Sequence, residues 1–120
     1  MKLAHVTINV RNMEESIKFY KEIVGLPITL RFDAGPGREI VFLGEGETKV
    51  ELIKDEGLDD INIGEDIAIG FGVENLDETM EFIKEKQIKI QSGPFQPNPN
   101  TRFFYVEDPD GLKVQFIEQK

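Results

Sequence analysis

Few side chains in this chain are able to do chemistry, and they fall at alternate positions of short runs. The sequence has 120 residues, a single histidine and no cysteine, which removes disulfides, thiolate metal sites and a cysteine nucleophile. The histidine, His5, alternates with Val6 and shares one side of its run with Thr7 and Asn9, while Val6, Ile8 and Val10 take the other. A period of two is that of a half-buried strand. If the valines and Ile8 pack under a helix, His5, Thr7 and Asn9 point the opposite way. The same alternation sends Val50 and Leu52 to the helix and Lys49, Glu51 and Ile53 away from it. It also sends Val114 and Phe116 inward and leaves Lys113, Gln115 and Ile117 on the far side. Imidazole, hydroxyl, carboxylate and amide groups together with the nearly bare run Ala68, Gly70, Gly72 make a poor sealed core. They suit a surface that holds a ligand.

The elements that carry these positions come in two copies. Residues from His5 to Glu22, slid by 63, fall on Ala68 to Glu85, pairing Val10 with Val73, Asn12 with Asn75, Glu15 with Glu78 and Phe19 with Phe82. Six identities in eighteen positions mark a repeat. An offset of 64 carries it further, setting Arg38 on Arg102, Lys49-Val50 on Lys113-Val114 and Glu51 on Gln115. In each copy an asparagine caps a helix, with glutamate three residues on. Met13, Ile17, Tyr20 and Val24 recur at helical spacing, as do Leu76, Met80 and Ile83. Gly25 and Pro27 end the first helix.

Strands are expected at 27–32, 38–43 and 48–54 in the first copy. In the second they are expected at 67–73, 89–92, 102–106 and 112–118, with 93–101, which holds three prolines, as a loop. The fold class is α+β: two βαβββ modules, 1–54 and 67–120, within one domain spanning 1–120, joined by an acidic connection at 55–66 with room for a short helical turn.

Fourteen basic against twenty-three acidic residues give a net charge of −9, which repels phosphate backbones and argues against nucleic acid. No apolar run approaches a membrane span and no secretory segment is visible, so no membrane partner is expected and the cytoplasm is the default location.

These residues suffice to name a resemblance. The chain resembles the vicinal oxygen chelate superfamily, which includes glyoxalase I, bleomycin-resistance proteins and extradiol dioxygenases. The marks are His5 opening a strand that leads into Asn12-Met13-Glu14-Glu15-Ser16-Ile17-Lys18-Phe19-Tyr20, then Val24-Gly25-Leu26, Gly93-Pro94 and Glu107-Asp108-Pro109-Asp110-Gly111. The resemblance implies paired modules forming an open barrel around a divalent metal, with one ligand from the first and one from the fourth strand of each module. Those positions are His5 and Glu51, then Ala68 and Gln115. His5, Glu51 and Gln115 form the implied metal set for Ni²⁺, Zn²⁺, Mn²⁺ or Mg²⁺, weakened or abolished because Ala68 cannot donate. One imidazole per site excludes a two-histidine iron centre of the extradiol type.

Within the resemblance three functions are weighed. The first is a small-molecule-binding protein, metal-assisted, with a partly degenerate site. The second is a glyoxalase-I-like lyase of the lactoylglutathione type, with Glu51 as the catalytic base. The third is a protein that sequesters a bleomycin-like cationic drug, which the net charge suits. Thr7, Asn9, Arg38, Arg102, Phe104 and Lys113 are the candidate ligand contacts, the arginines for carboxylates. Phe95, Phe103, Phe104 and Tyr105 are expected to line a groove, a dimer seam or a partner-binding patch. A homodimer is expected.

Overall fold

The computed structural model describes residues 1–58 and 60–120. The chain divides into two compact units, Met1–Asn62 and Ile63–Lys120. In the first, β1 (His5–Asn9) leads to α1 (Met13–Lys18), then to β2 (Ile28–Asp33), β3 (Arg38–Leu43) and β4 (Lys49–Asp55). In the second, β5 (Ala68–Gly72) leads to α2 (Leu76–Glu85), then β6 (Ser92–Asn98), β7 (Thr101–Glu107) and β8 (Lys113–Gln119). The sheets have the orders β1-β4-β3-β2 and β5-β8-β7-β6. The first strand of each runs parallel to the last, and the other pairs are antiparallel. Each unit is thus a βαβββ module, as the repeat implies. No helix among the described residues is long and apolar enough to cross a membrane.

Both helices begin as their sequences require. The side-chain oxygen of Asn12 accepts from the Glu15 backbone N–H and that of Asn75 from Glu78, each at 3.0 Å, which satisfies one of the orphan donors of a helix start. The first helix departs from simple 3.6 periodicity at its end. Phe19–Ile23 forms a π-helical turn in which the Val24 N–H reaches the Phe19 carbonyl at 3.1 Å. The extra residue per turn brings Phe19 and Tyr20 inward together, and Val24, expected on the buried stripe, is half-exposed.

The core of each unit lies between helix and sheet. Ile8, Val10, Ile17, Tyr20, Val41, Leu43, Val50 and Leu52 fill the first, and Leu76, Ile83, Phe104, Val106, Val114 and Phe116 fill the second. Phe104, expected among the ligand contacts, is fully buried, with its ring 5.4 Å from that of Phe116. The register explains the correction: Phe104 stands opposite Phe116, which faces the helix, so Phe103 and Tyr105 take the far side.

Residues 93–101 are another correction, because most of this expected loop is strand. Its prolines are tolerated since β6 is an edge strand, where a missing N–H breaks no ladder. Residues 89–91, expected as strand, lie outside it. Gly93 has φ +98°, and a Cβ there would come 3.1 Å from the Phe103 carbonyl oxygen and the Phe104 Cα, so only glycine fits so close to β7. The connection holds turns and no helix among its described residues; residue 59 lies outside them.

One carboxylate ties sheet to helix in the second unit. Glu118, 6% exposed, accepts from the Leu76 N–H at 2.7 Å. That bond, with Lys120 3.4 Å away, holds its carboxyl below the ordinary 4.5. A depressed carboxylate stabilises the fold above its unfolded value and loses that contribution as pH falls through the folded one. Glu118→Gln should therefore lower the thermal midpoint at neutral pH, with the difference from the parent closing in acid, as followed by circular dichroism. Phe104→Ala should cost about 3–5 kcal/mol in urea unfolding, as a buried core aromatic does.

Candidate functional site

The parallel pairing of β1 with β4 places Thr7 directly opposite Glu51 and His5 opposite Lys49. On the face turned away from α1, this brings three polar side chains together. The Thr7 hydroxyl donates to Glu51 Oε1 at 2.6 Å, and His5 Nε2 stands 3.5 Å from the same oxygen. Glu51 is only 9% exposed, whereas His5 is open to solvent. Phe42, opposite Glu51 on β3, meets the imidazole edge to face at 5.5 Å. The cluster is a buried carboxylate held by a hydroxyl, with an accessible imidazole beside it and an aromatic wall behind.

Its donor spacing can be compared with that of a metal site. Two ligands each about 2.1 Å from an ion and arranged tetrahedrally stand about 3.4 Å apart, close to the 3.5 Å between His5 Nε2 and Glu51 Oε1. The pair fits two neighbouring positions of a tetrahedral Zn²⁺ shell. Among the described residues no three of His, Asp and Glu converge on one point, so water or ligand oxygens would have to complete that shell.

The second unit offers a different surface at the repeat-equivalent places. Gly70 stands opposite Gln115, and Ala68 opposite Lys113. The Gln115 amide donates to the Tyr105 hydroxyl at 3.3 Å. Phe95, Phe103 and Tyr105 form a ladder of rings with centroids 5.5 and 5.8 Å apart. A hydroxyl, an amide and three rings thus replace the carboxylate cluster of the first sheet.

Several expected contacts are placed elsewhere. Arg102 forms a two-pronged pair with Asp77 in the first turn of α2, at 3.1 and 3.3 Å; the arginine is raised and the aspartate lowered by this bond. It therefore lies on the helix face, engaged within the fold. Arg38 is exposed and stands opposite Asp55, on the far face but four residues along β4 from Glu51, about 13 Å away at strand spacing. The two arginines are not equivalents, since Phe104 pairs with Phe116 while Val41 pairs with Leu52. The offset thus stays at 63 through the third strands and reaches 64 only in the hairpin that follows, so Arg102 matches Glu39.

In the first unit the corresponding helix-to-sheet tie is Arg31, which binds Glu39 and Glu14 and is raised by both. Asn9 is exposed on the same face as Thr7, and Lys113 is half-exposed beside Gln115 on β8. Tyr105 was expected on a groove or seam but not as the partner of Gln115, and Phe42 was not expected beside His5 at all. The signal was present only in cross-strand register, which periodicity within one strand does not supply.

Comparison with known proteins places the chain among relatives. A family model described as the glyoxalase/bleomycin resistance protein/dioxygenase superfamily matches residues 2–116. The lactoylglutathione lyase of Haemophilus influenzae is 31% identical over 129 aligned residues, spanning 100% of this chain and 94% of that protein. A glyoxalase I mutant from Zea mays superposes with a TM-score of 0.86 at 27% identity, covering 98% of this chain but only 45% of that one. The glyoxalase I of Leishmania major, described as trypanothione-dependent, superposes with a TM-score of 0.84 at 26% identity, covering 98% and 86%.

A Cβ added to Gly70 would stand 2.8 Å from Gln115 Oε1. That atom is the end of a flexible side chain, so Gly70→Ala should change stability by less than about 1 kcal/mol. It should nevertheless move the Gln115 amide off Tyr105, read as a shift of the Gln115 side-chain NH₂ resonance.

Proposed function

The chain belongs to the glyoxalase/bleomycin resistance protein/dioxygenase superfamily, and we propose that it binds a polar small molecule at a divalent ion held by His5 and Glu51. The observation that carries this reading is the buried Glu51 carboxylate, fixed by Thr7 at 2.6 Å with His5 Nε2 3.5 Å away. A carboxylate kept this far from water is costly unless it is hydrogen-bonded or paired with a cation. His5 and Glu51 would hold the ion, which would supply Lewis acidity toward an oxygen of the ligand.

The chain's own residues do the rest. Thr7 orients Glu51, as outer hydrogen bonds orient metal ligands, and Phe42 packs against the imidazole. Asn9 offers a polar contact further along the same face, and Leu30, Phe32 and Ile40, opposite one another or Phe42 across β2 and β3, supply apolar surface. Leu30 and Phe32, exposed on the edge strand β2, also support a homodimer as part of this reading.

A second reading is a lyase of the glyoxalase I type, favoured by a relative named lactoylglutathione lyase at 31% identity over the whole chain. In it Glu51 moves a proton between adjacent carbons of a thiohemiacetal. Its Oε1 is engaged by Thr7, which leaves Oε2 to take the proton. Gln115 is an amide and Ala68 has no donor, so neither can share this work.

Calorimetric titration with Zn²⁺ and Ni²⁺ separates these readings from a metal-free binder. The parent is expected to take one ion per chain. His5→Ala and Glu51→Gln should each abolish binding with little change in thermal midpoint. Thr7→Val should weaken binding about 10–100-fold and also lower the midpoint, because it leaves the buried Glu51 carboxylate without its hydroxyl donor. Unchanged affinity in the His5 and Glu51 variants would contradict the assignment. Turnover of a thiohemiacetal that is lost in Glu51→Gln would favour the lyase.

A further inference from the structure

The second unit carries a cleft that plays no part in the proposed metal site. It consists of two adjoining hollows of about 410 and 250 Å³ that share Gln91 and Glu107. Lys89 lines the larger, and Glu65 and Lys113 line the smaller. Glu107 and Lys113 stand directly opposite each other on β7 and β8. Opposite charges so placed, with Cβ atoms about 5 Å apart, ordinarily gain by pairing. Among the described residues, neither of these side chains forms an ion pair or hydrogen bond. The two charges are splayed around the smaller hollow instead of neutralising each other across it.

A lone cation or a lone anion in this hollow would leave the other charge unmatched. A molecule carrying both signs a few ångström apart satisfies the two together. Gln91 adds to the fit, because its Oε1 accepts from the Ser92 hydroxyl at 2.6 Å, leaving its NH₂ free to donate to a carboxylate. Beyond Glu107 the larger hollow, lined by Gln87 and Lys89, offers polar partners to a side chain. We propose that this cleft binds a free α-amino acid with a polar side chain, its ammonium at Glu107 and its carboxylate at Lys113 and Gln91. Charge-assisted hydrogen bonds of this kind are the strong ones, and both charged groups are reachable from solvent, so the site needs no opening motion.

The site lies wholly within the second unit and does not depend on the proposed metal-assisted function. Its test is a ¹⁵N–¹H NMR titration of the metal-free full chain with L-glutamine, N-acetyl-L-glutamine and L-glutamine amide. L-Glutamine should give saturable shifts at the Gly64 and Gly111 amides, which border the smaller hollow, with an affinity in the millimolar range or tighter. Removing the ammonium or the carboxylate from the ligand should each weaken binding at least about tenfold, and so should Glu107→Gln and Lys113→Met. The spectra themselves report whether the variants remain folded. Absence of saturable shifts with L-glutamine, or equal binding of its N-acetyl form, would overturn the proposal. So would shifts that persist unchanged in both variants.

Discussion

The parallel pairing of β1 with β4 is the constraint on which the candidate site depends. Helix α1 must cross from the end of β1 and hand the chain to a three-stranded antiparallel run whose last strand returns beside the first. With one sheet face buried under the helix, register cannot slip by a single residue without turning the apolar set outward. That locks Thr7 opposite Glu51 and leaves His5 two residues away on the same face. Burial of Val50 and Leu52 on the helix side thus fixes where the carboxylate between them must point.

The second unit keeps the scaffold and changes the surface. Asparagine caps, parallel first and last strands, and an arginine reaching from the sheet to the helix's first turn occur in both units. Where the first sheet presents His5, Thr7 and Glu51, the second presents Ala68, Gly70 and Gln115. Conserving the half of each strand that packs under the helix holds the fold, while the other half is free to diverge. Gly70 lets the Gln115 amide lie across β5, and that amide meets Tyr105. Similar frames therefore carry unlike chemistry.

Much of this was legible in the chain. Alternation gave the faces of β1 and of the first four residues of β4 and β8, where apolar and polar positions strictly alternate, and the caps were readable because asparagine and glutamate sit at fixed spacing. The strand at 92–98 was not, because its prolines mimic a loop and only its edge position makes them harmless. Phe104 was assigned to the wrong face because β7 is apolar or aromatic at four successive positions, 103–106, which leaves no alternation to read. The equivalence of Arg38 and Arg102 failed for a different reason. A one-residue difference between hairpins is invisible until cross-strand register shows where it falls. The bond from Thr7 to Glu51 joins residues 44 apart in sequence, beyond the reach of any local pattern.

His5 and Glu51 are proposed as two ligands of one divalent ion. The most direct measurement is a crystal structure grown with Mn²⁺, with anomalous scattering used to locate the ion. One peak per chain is expected, about 2.1–2.2 Å from both His5 Nε2 and a Glu51 carboxylate oxygen. A peak elsewhere, or none at this pair while Mn²⁺ is present in excess, would contradict it.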